Sequence, residues 1–211
     1  MTPFLESTAV VDWQDESIRT LACELKQNAH DDETLVRLTF EWVRDEVQHS
    51  LDFQRTVVTC RASDVLEQRT GYCYAKSHLL AALLRANSIP AGFCYQRLSL
   101  HDNGPPFSLH GLNAVYLRDH GWYRIDPRGN KPGVNAQFIP PGEQLAFSTS
   151  SEGELDFAEI WPEPLPIVVQ SLLQATSVQS LATCLPDLSL NKTQVVVDSL
   201  PSKPVFMRPI G

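Results

Sequence analysis

Apolar residues recur at helical spacing through the first third of the chain. Ile18, Leu21, Ala22 and Leu25 mark a helix over residues 15–27, behind acids that suit a helix N-terminus. Leu35, Leu38, Trp42 and Val43 mark a second helix over 31–48. Residues 62–68 read as a short helix, with Ser63 and Asp64 as cap candidates. The clearest segment is 74–86, YAKSHLLAALLRA. It is rich in Ala and Leu, broad in its apolar face, and closed by Asn87 and Pro90. Beyond Pro90 the period changes. Residues 92–100, 109–117 and 121–126 read as strands separated by the turn chemistry of HDNGPPFS and RDHG. Helices first and strands after predict an α+β fold, with helices packed on an antiparallel sheet. From residue 132 prolines punctuate the chain. A helix is expected over 168–183, and a loosely ordered tail or arm over 186–211.

Composition keeps the chain in the ordinary globular class. It has 211 residues, 43% hydrophobic and 20% charged. Its formal net charge of -8 argues against a generic nucleic-acid binder, which needs a basic footprint. The charge is uneven. Residues 1–50 carry −7, 51–131 carry +4, 132–191 carry −7 and the last twenty carry +2. No run reaches the ~18 apolar residues of a membrane span, and MTPFLESTAVVDW lacks the basic and apolar regions of a signal peptide. The five cysteines, at 23, 60, 73, 94 and 184, form no C-x(2–4)-C pair. A zinc site and a disulfide framework are therefore not expected, and reduced thiols in the cytoplasm are. No metal, cofactor, nucleic-acid or membrane partner is expected. Cys23, Cys60 and Cys94 are expected in or near the core, and Trp42 and Trp122 as core anchors. Trp161 is expected to pin a loop.

Cys73 stands apart. It follows Gly71 and opens the most strongly patterned helix. A thiol there meets the positive end of the helix dipole and unpaired backbone N–H groups. These favour thiolate over thiol and can hold a developing oxyanion. The competing reading is a small buried hydrophobe, the commonest fate of a free cysteine. A thiolate nucleophile needs a base, and the base an orienting group. Of six histidines, His78 faces elsewhere on the Cys73 helix, and His101 and His120 sit in turns. His110 opens a strand just before an apolar run. Asp126 ends the next strand. A hairpin symmetric about Arg118 sets residues 110 and 126 directly opposite one another. A register one residue different would bring Asn113 to Asp126 instead.

The stretch ASDVLEQRTGYCYAKSHLLAALLRANSIPAGFCYQRL, followed by HGLNAVYL and GWYRIDPRGN, resembles the bacterial transglutaminase-like superfamily. The shared features are Gly-x-Cys at a helix start, the Leu-Leu-Arg-Ala-x-x-Ile-Pro-Ala ending, a strand-opening His and the Gly-Trp…Asp-Pro hairpin. They cover residues 31–147. The resemblance implies a papain/transglutaminase-like fold in a catalytic domain over 1–150. Residues 151–211 form a C-terminal extension that packs on the domain or trails from it. It further implies Cys73 as nucleophile, His110 as general base and acid, and Asp126 as the group that orients the imidazole. The reaction class is thiolate attack on an acyl carbon, giving a cysteine hydrolase or acyltransferase acting on a peptide or small amide. His49, Gln54, Tyr72 and Arg128 are secondary candidates for substrate or oxyanion contacts. Many members have Asp-Pro-Thr where this chain has Asp126-Pro127-Arg128-Gly129-Asn130-Lys131. A solvated turn is the simpler reading of the two added charges, and a carboxylate site the other. The competing functions are arylamine N-acetyltransferase-like acyl transfer and a non-catalytic binding module on the same scaffold.

Overall fold

A computed structural model describes residues 1–101, 104–188 and 205–206. Its centre is α4 (Cys73–Ala86), whose residues from Cys73 to Arg85 are all buried. A helix apolar nearly all round belongs inside a core. Against it pack α1 (Glu16–Gln27), α2 (Asp32–Glu46), α3 (Ala62–Gln68) and the strands β3 (Ala91–Ser99) and β4 (Phe107–Leu117). Arg85, at its end, is buried and donates to the carbonyls of Glu6, Ala91 and Pro162. This guanidinium joins the N-terminal segment, the start of β3 and the C-terminal third.

The helices begin where capping chemistry starts them. The Asp15 carboxylate accepts from the Ser17 N–H at 2.9 Å to open α1. Asp31 accepts from the Thr34 N–H at 2.7 Å to open α2. The α3 start differs from expectation. Its N-cap is Arg61, with no side-chain cap bond, and Ser63 turns instead to Asp12. Asp12 accepts the Ser63 N–H at 3.1 Å and its hydroxyl at 2.6 Å, so a carboxylate distant in sequence satisfies the first turn.

The main sheet is antiparallel with order β5–β4–β3–β8, where β5 is Gly121–Ile125 and β8 is Leu155–Asp156. β3 and β4 pair from Ala91↔Val115 to Ser99↔Phe107. β5 pairs β4 only from Asn113↔Ile125 to Leu117↔Gly121. The α+β expectation, helices on an antiparallel sheet, is the observed architecture. Phe93, Tyr95, Leu109 and Val115 join the main core with α4. Cys94, Leu112 and Ala114 form a smaller cluster with Phe4 and Ile160. β4 approaches the first turn of α4 closely at Gly111. A Cβ there would lie 2.8 Å from the Tyr74 ring.

The rest of the chain extends this frame. β6 (Gln137–Ile139) and β7 (Gly142–Gln144) form a hairpin, and β9 (Glu159–Ile160) pairs with β10 (Val205–Phe206). The single helix expected over 168–183 is two, α5 (Pro166–Gln174) and α6 (Val178–Thr183). Ala175 turns extended, and Ser177 restarts the helix through a capping box with Ser180. Of the expected tail over 186–211, residues 186–188 lie against the domain, and most of the remainder is outside the described residues. Cys60 and Cys94 are buried as expected, but Cys23 is exposed. Trp161 is buried and pairs with Phe93, pinning the segment that follows β9. Among the described residues, no helix is long and apolar enough to cross a membrane.

Candidate active site

Cys73 is positioned by a small parallel ladder. β1 (Gln48–His49) pairs with β2 (Thr70–Gly71), with His49 opposite Gly71. Tyr72 is the N-cap of α4 and Cys73 its first residue. The helix thus begins one residue before the apolar segment that predicts it. The thiol stands at the first turn, where backbone N–H groups have no partner within the helix. Cys73 is 4% exposed, and it lines a cavity of about 540 Å³ with His49, Tyr72, His110, Arg128 and Phe147.

His110 and Asp126 meet in that wall. The imidazole Nε2 lies 2.8 Å from Asp126 Oδ2, with both side chains buried. The pair is diagonal rather than directly opposed. β4 and β5 are centred on Asp119, so continuing their register sets Asp126 opposite Leu112, two residues from His110. An even shift keeps both side chains on one face of the sheet, within diagonal reach. Asn113 does not compete. It faces Ile125, and its amide donates at 3.1 Å to both the Ser77 and Gly92 carbonyls. Asp126 also accepts the Arg128 N–H and the Ala146 N–H, each at 3.1 Å. Burial disfavours charge on Asp126, but the His110 charge, the His110 hydrogen bond and these N–H groups hold it below the usual carboxylate range. Burial likewise works against His110. The Asp126 charge and hydrogen bond outweigh it, the Cys73 sulfur adds to them, and the imidazole is pushed up to about 10. The Phe147 ring packs edge-on against the His110 ring at 5.0 Å.

Of the two charges after Asp126, Arg128 is not solvated. Arg128 is buried and lines the cavity. Its Nη1 donates to Asp52 Oδ2 at 2.6 Å, and its guanidinium lies over the Phe147 ring at 5.5 Å. Lys131 is more open and donates to the same carboxylate at 2.7 Å. Burial works against the Asp52 charge, but the two cations draw this carboxyl down to about 2. His49 is buried, its ring tilted against that of Tyr72 at 4.9 Å, with Nδ1 3.5 Å from Asp52. Burial, then the Arg128 charge, push it down to about 3, so it is neutral at physiological pH. Gln54 does not join the site. It is exposed, in a tight loop that gives it a φ of 52°, and it does not line the cavity. Phe53 N–H to His49 C=O and Gln54 N–H to Leu51 C=O wind this loop outward.

Asp52, Ala146, Phe147 and Lys76 are structural neighbours of the site with no signal in the sequence pattern. Lys76 lies one turn beyond Cys73 and is buried. Its Nζ donates to the Arg44 carbonyl at 3.1 Å and to the Val47 carbonyl. Burial and the Arg128 charge push its ammonium down to about 7. Among the described residues, no three His, Cys, Asp or Glu side chains converge as metal ligands.

A family model described as the transglutaminase-like superfamily matches residues 19–127. No curated protein matches the chain. Among solved structures, a candidate cysteine protease from Cytophaga hutchinsonii is 24% identical with a TM-score of 0.49, over 60% of this chain and 41% of its own. The periplasmic domain of TgpA from Pseudomonas aeruginosa, bound to ethylmercury, is 20% identical with a TM-score of 0.45. That match covers 59% of this chain and 46% of the other. A structure described as a TGase is 17% identical with a TM-score of 0.43, over 66% of this chain and 37% of its own. The match thus spans under half the length of each of these proteins. The family match covers more than half of the chain and encloses Cys73, His110 and Asp126, and the chain belongs to the transglutaminase-like superfamily.

Proposed function

We propose that the protein is a cysteine hydrolase or acyltransferase of amide bonds, peptidase- or amidase-like. In this reading Cys73 is the nucleophile, His110 the proton carrier and Asp126 its orienting group. The observation that carries it is the buried 2.8 Å bond between His110 Nε2 and Asp126, in the wall of the cavity that Cys73 lines. Nε2 donates to the carboxylate, so Nδ1 is the nitrogen left to exchange a proton with the Cys73 sulfur. His110 takes that proton, and the thiolate attacks the acyl carbon. The helix-start N–H groups stabilise the tetrahedral oxyanion. His49 is the side-chain candidate for a second donor. Its ring lines the same cavity as the Cys73 thiol. The C–N bond then breaks, His110 gives its proton to the leaving amine, and Cys73 keeps the acyl group as a thioester. Water or an amine attacks the thioester, passes its proton to His110 and releases the thiolate.

A trapping experiment tests this without knowledge of the natural substrate. 4-Nitrophenyl acetate is expected to acetylate the protein once, on the tryptic peptide that contains Cys73, and hydroxylamine to release the label. Acetylation confined to the exposed Cys23 and Cys184 would overturn the reading.

A further inference from the structure

β4 lacks a neighbouring strand on one side beside the candidate base, where the Leu109 carbonyl accepts from the Tyr74 hydroxyl. β3 covers one side of the strand along residues 107–115, but β5 reaches only to Asn113 on the other. Strand backbone without a partner is a ready template for an added strand. In this structure the edge is taken by the chain's own C-terminal segment. The Leu109 N–H, next to His110, donates to the Pro186 carbonyl at 2.8 Å. Pro186 is buried, and Leu185 reaches the cavity that holds Cys73 and His110. Asp187 makes a bidentate ion pair with Arg97, Nε to Oδ1 at 2.6 Å and Nη2 to Oδ2 at 2.7 Å. Arg97 sits opposite Leu109 in the β3–β4 ladder. It is buried, and its guanidinium lies 3.9 Å over the Phe107 ring. Main chain, apolar side chain and carboxylate are thus each met by a separate feature of one edge.

We infer that this edge binds an extended peptide with an acidic side chain, and that residues 185–187 occupy it in place of that ligand. The ligand presents a backbone carbonyl to Leu109, an apolar side chain to the cavity and a carboxylate to Arg97. The inference deepens the proposed function and rests on it only in treating the cavity as the reaction site. A substrate of this class has to displace the chain's own segment, and weakening the Asp187 contact opens the edge.

The test uses the full chain and a fluorescein-labelled peptide of residues 183–188 carrying Cys184→Ser. By fluorescence polarisation the Asp187→Ala protein is expected to bind it at least about tenfold more tightly than wild type, because a charge-assisted pair no longer competes. A second peptide with Asp187→Asn is expected to lose that gain. Asp187 is partly exposed, and a single cooperative melting transition shows that the variant keeps its fold. Equal binding by both proteins, or indifference to the peptide's carboxylate, overturns the inference. The peptide reads the edge alone. A gain in peptide binding with no acetylation of Cys73 would sink the nucleophile reading and keep the docking edge.

Discussion

Cys73→Ala is expected to abolish acetylation by the ester and to lower amide turnover by about 10⁴-fold or more, with the fold unchanged. Removing a nucleophile leaves only binding and oxyanion contacts, which in a serine protease retain a small residue of the rate. No other thiol can substitute. Burial pushes Cys60 up to about 11 and Cys94 up to about 12, so both stay protonated in the core. Cys23 and Cys184 are exposed, and neither lines the cavity. The structural cost is small, because Cys73 faces a cavity and Ala suits a first helical turn. A stability change within about 1 kcal/mol follows. Turnover with a confirmed substrate and thermal melting measure the two effects. Full activity in this variant would remove Cys73 from the chemistry.

Asp126→Ala is expected to cost far more stability than Cys73→Ala, and to lower activity as well, though by less. Its carboxylate is buried and receives His110, the Arg128 N–H and the Ala146 N–H. Removing one partner of a buried pair costs about 3–5 kcal/mol, because the other is left without compensation. The pH dependence follows from the two shifts. The folded imidazole, near 10, lies above the ordinary 6.5. Its contribution is complete below 6.5 and is lost as pH rises through about 10. The folded Asp126 lies below the ordinary 3.8. Its contribution is complete above that value and is lost as pH falls through the depressed one. The stability gap between wild type and Asp126→Ala is therefore expected to be largest between about pH 4 and 6.5. Urea denaturation across pH measures it. Activity is expected to fall by about 10²- to 10⁴-fold as His110 loses its orientation. A pH-independent gap of less than about 1 kcal/mol would show that the pair does not carry the charges assigned to it.

What was legible in the sequence was whatever obeys a period or a punctuation mark. Gly71 and Pro90 bracket α4, and Cys73 is visible as the residue at its start. The face shared by His110 and Asp126 was legible because strand side chains alternate, so a register error of two preserves it. The register itself is not legible, because the loop is Arg118-Asp119-His120, closed by Gly121 at φ 70°, which sets the centre at Asp119 rather than Arg118. Arg128 could not be read, since its burial depends on Asp52 and Phe147, neither of which is near it in sequence. The same holds for Ala146 and Phe147, which steady Asp126 and His110 from a Pro-punctuated stretch without periodicity. Cys23 departs from expectation for a different reason. Its helix buries Ile18 and Ala22, and Cys23 lies off that stripe.

The central claim is a thiolate–imidazolium pair between Cys73 and His110. Iodoacetamide alkylation near pH 6, followed peptide by peptide in mass spectrometry, tests it most directly, with Cys23 and Cys184 as internal references. An ordinary thiol with a pKa of about 8.5 is almost wholly protonated at that pH and reacts slowly. The account predicts that Cys73 reacts at least about tenfold faster than either reference, and that His110→Ala abolishes the difference. A Cys73 rate equal to that of the reference thiols, unchanged by His110→Ala, would contradict it.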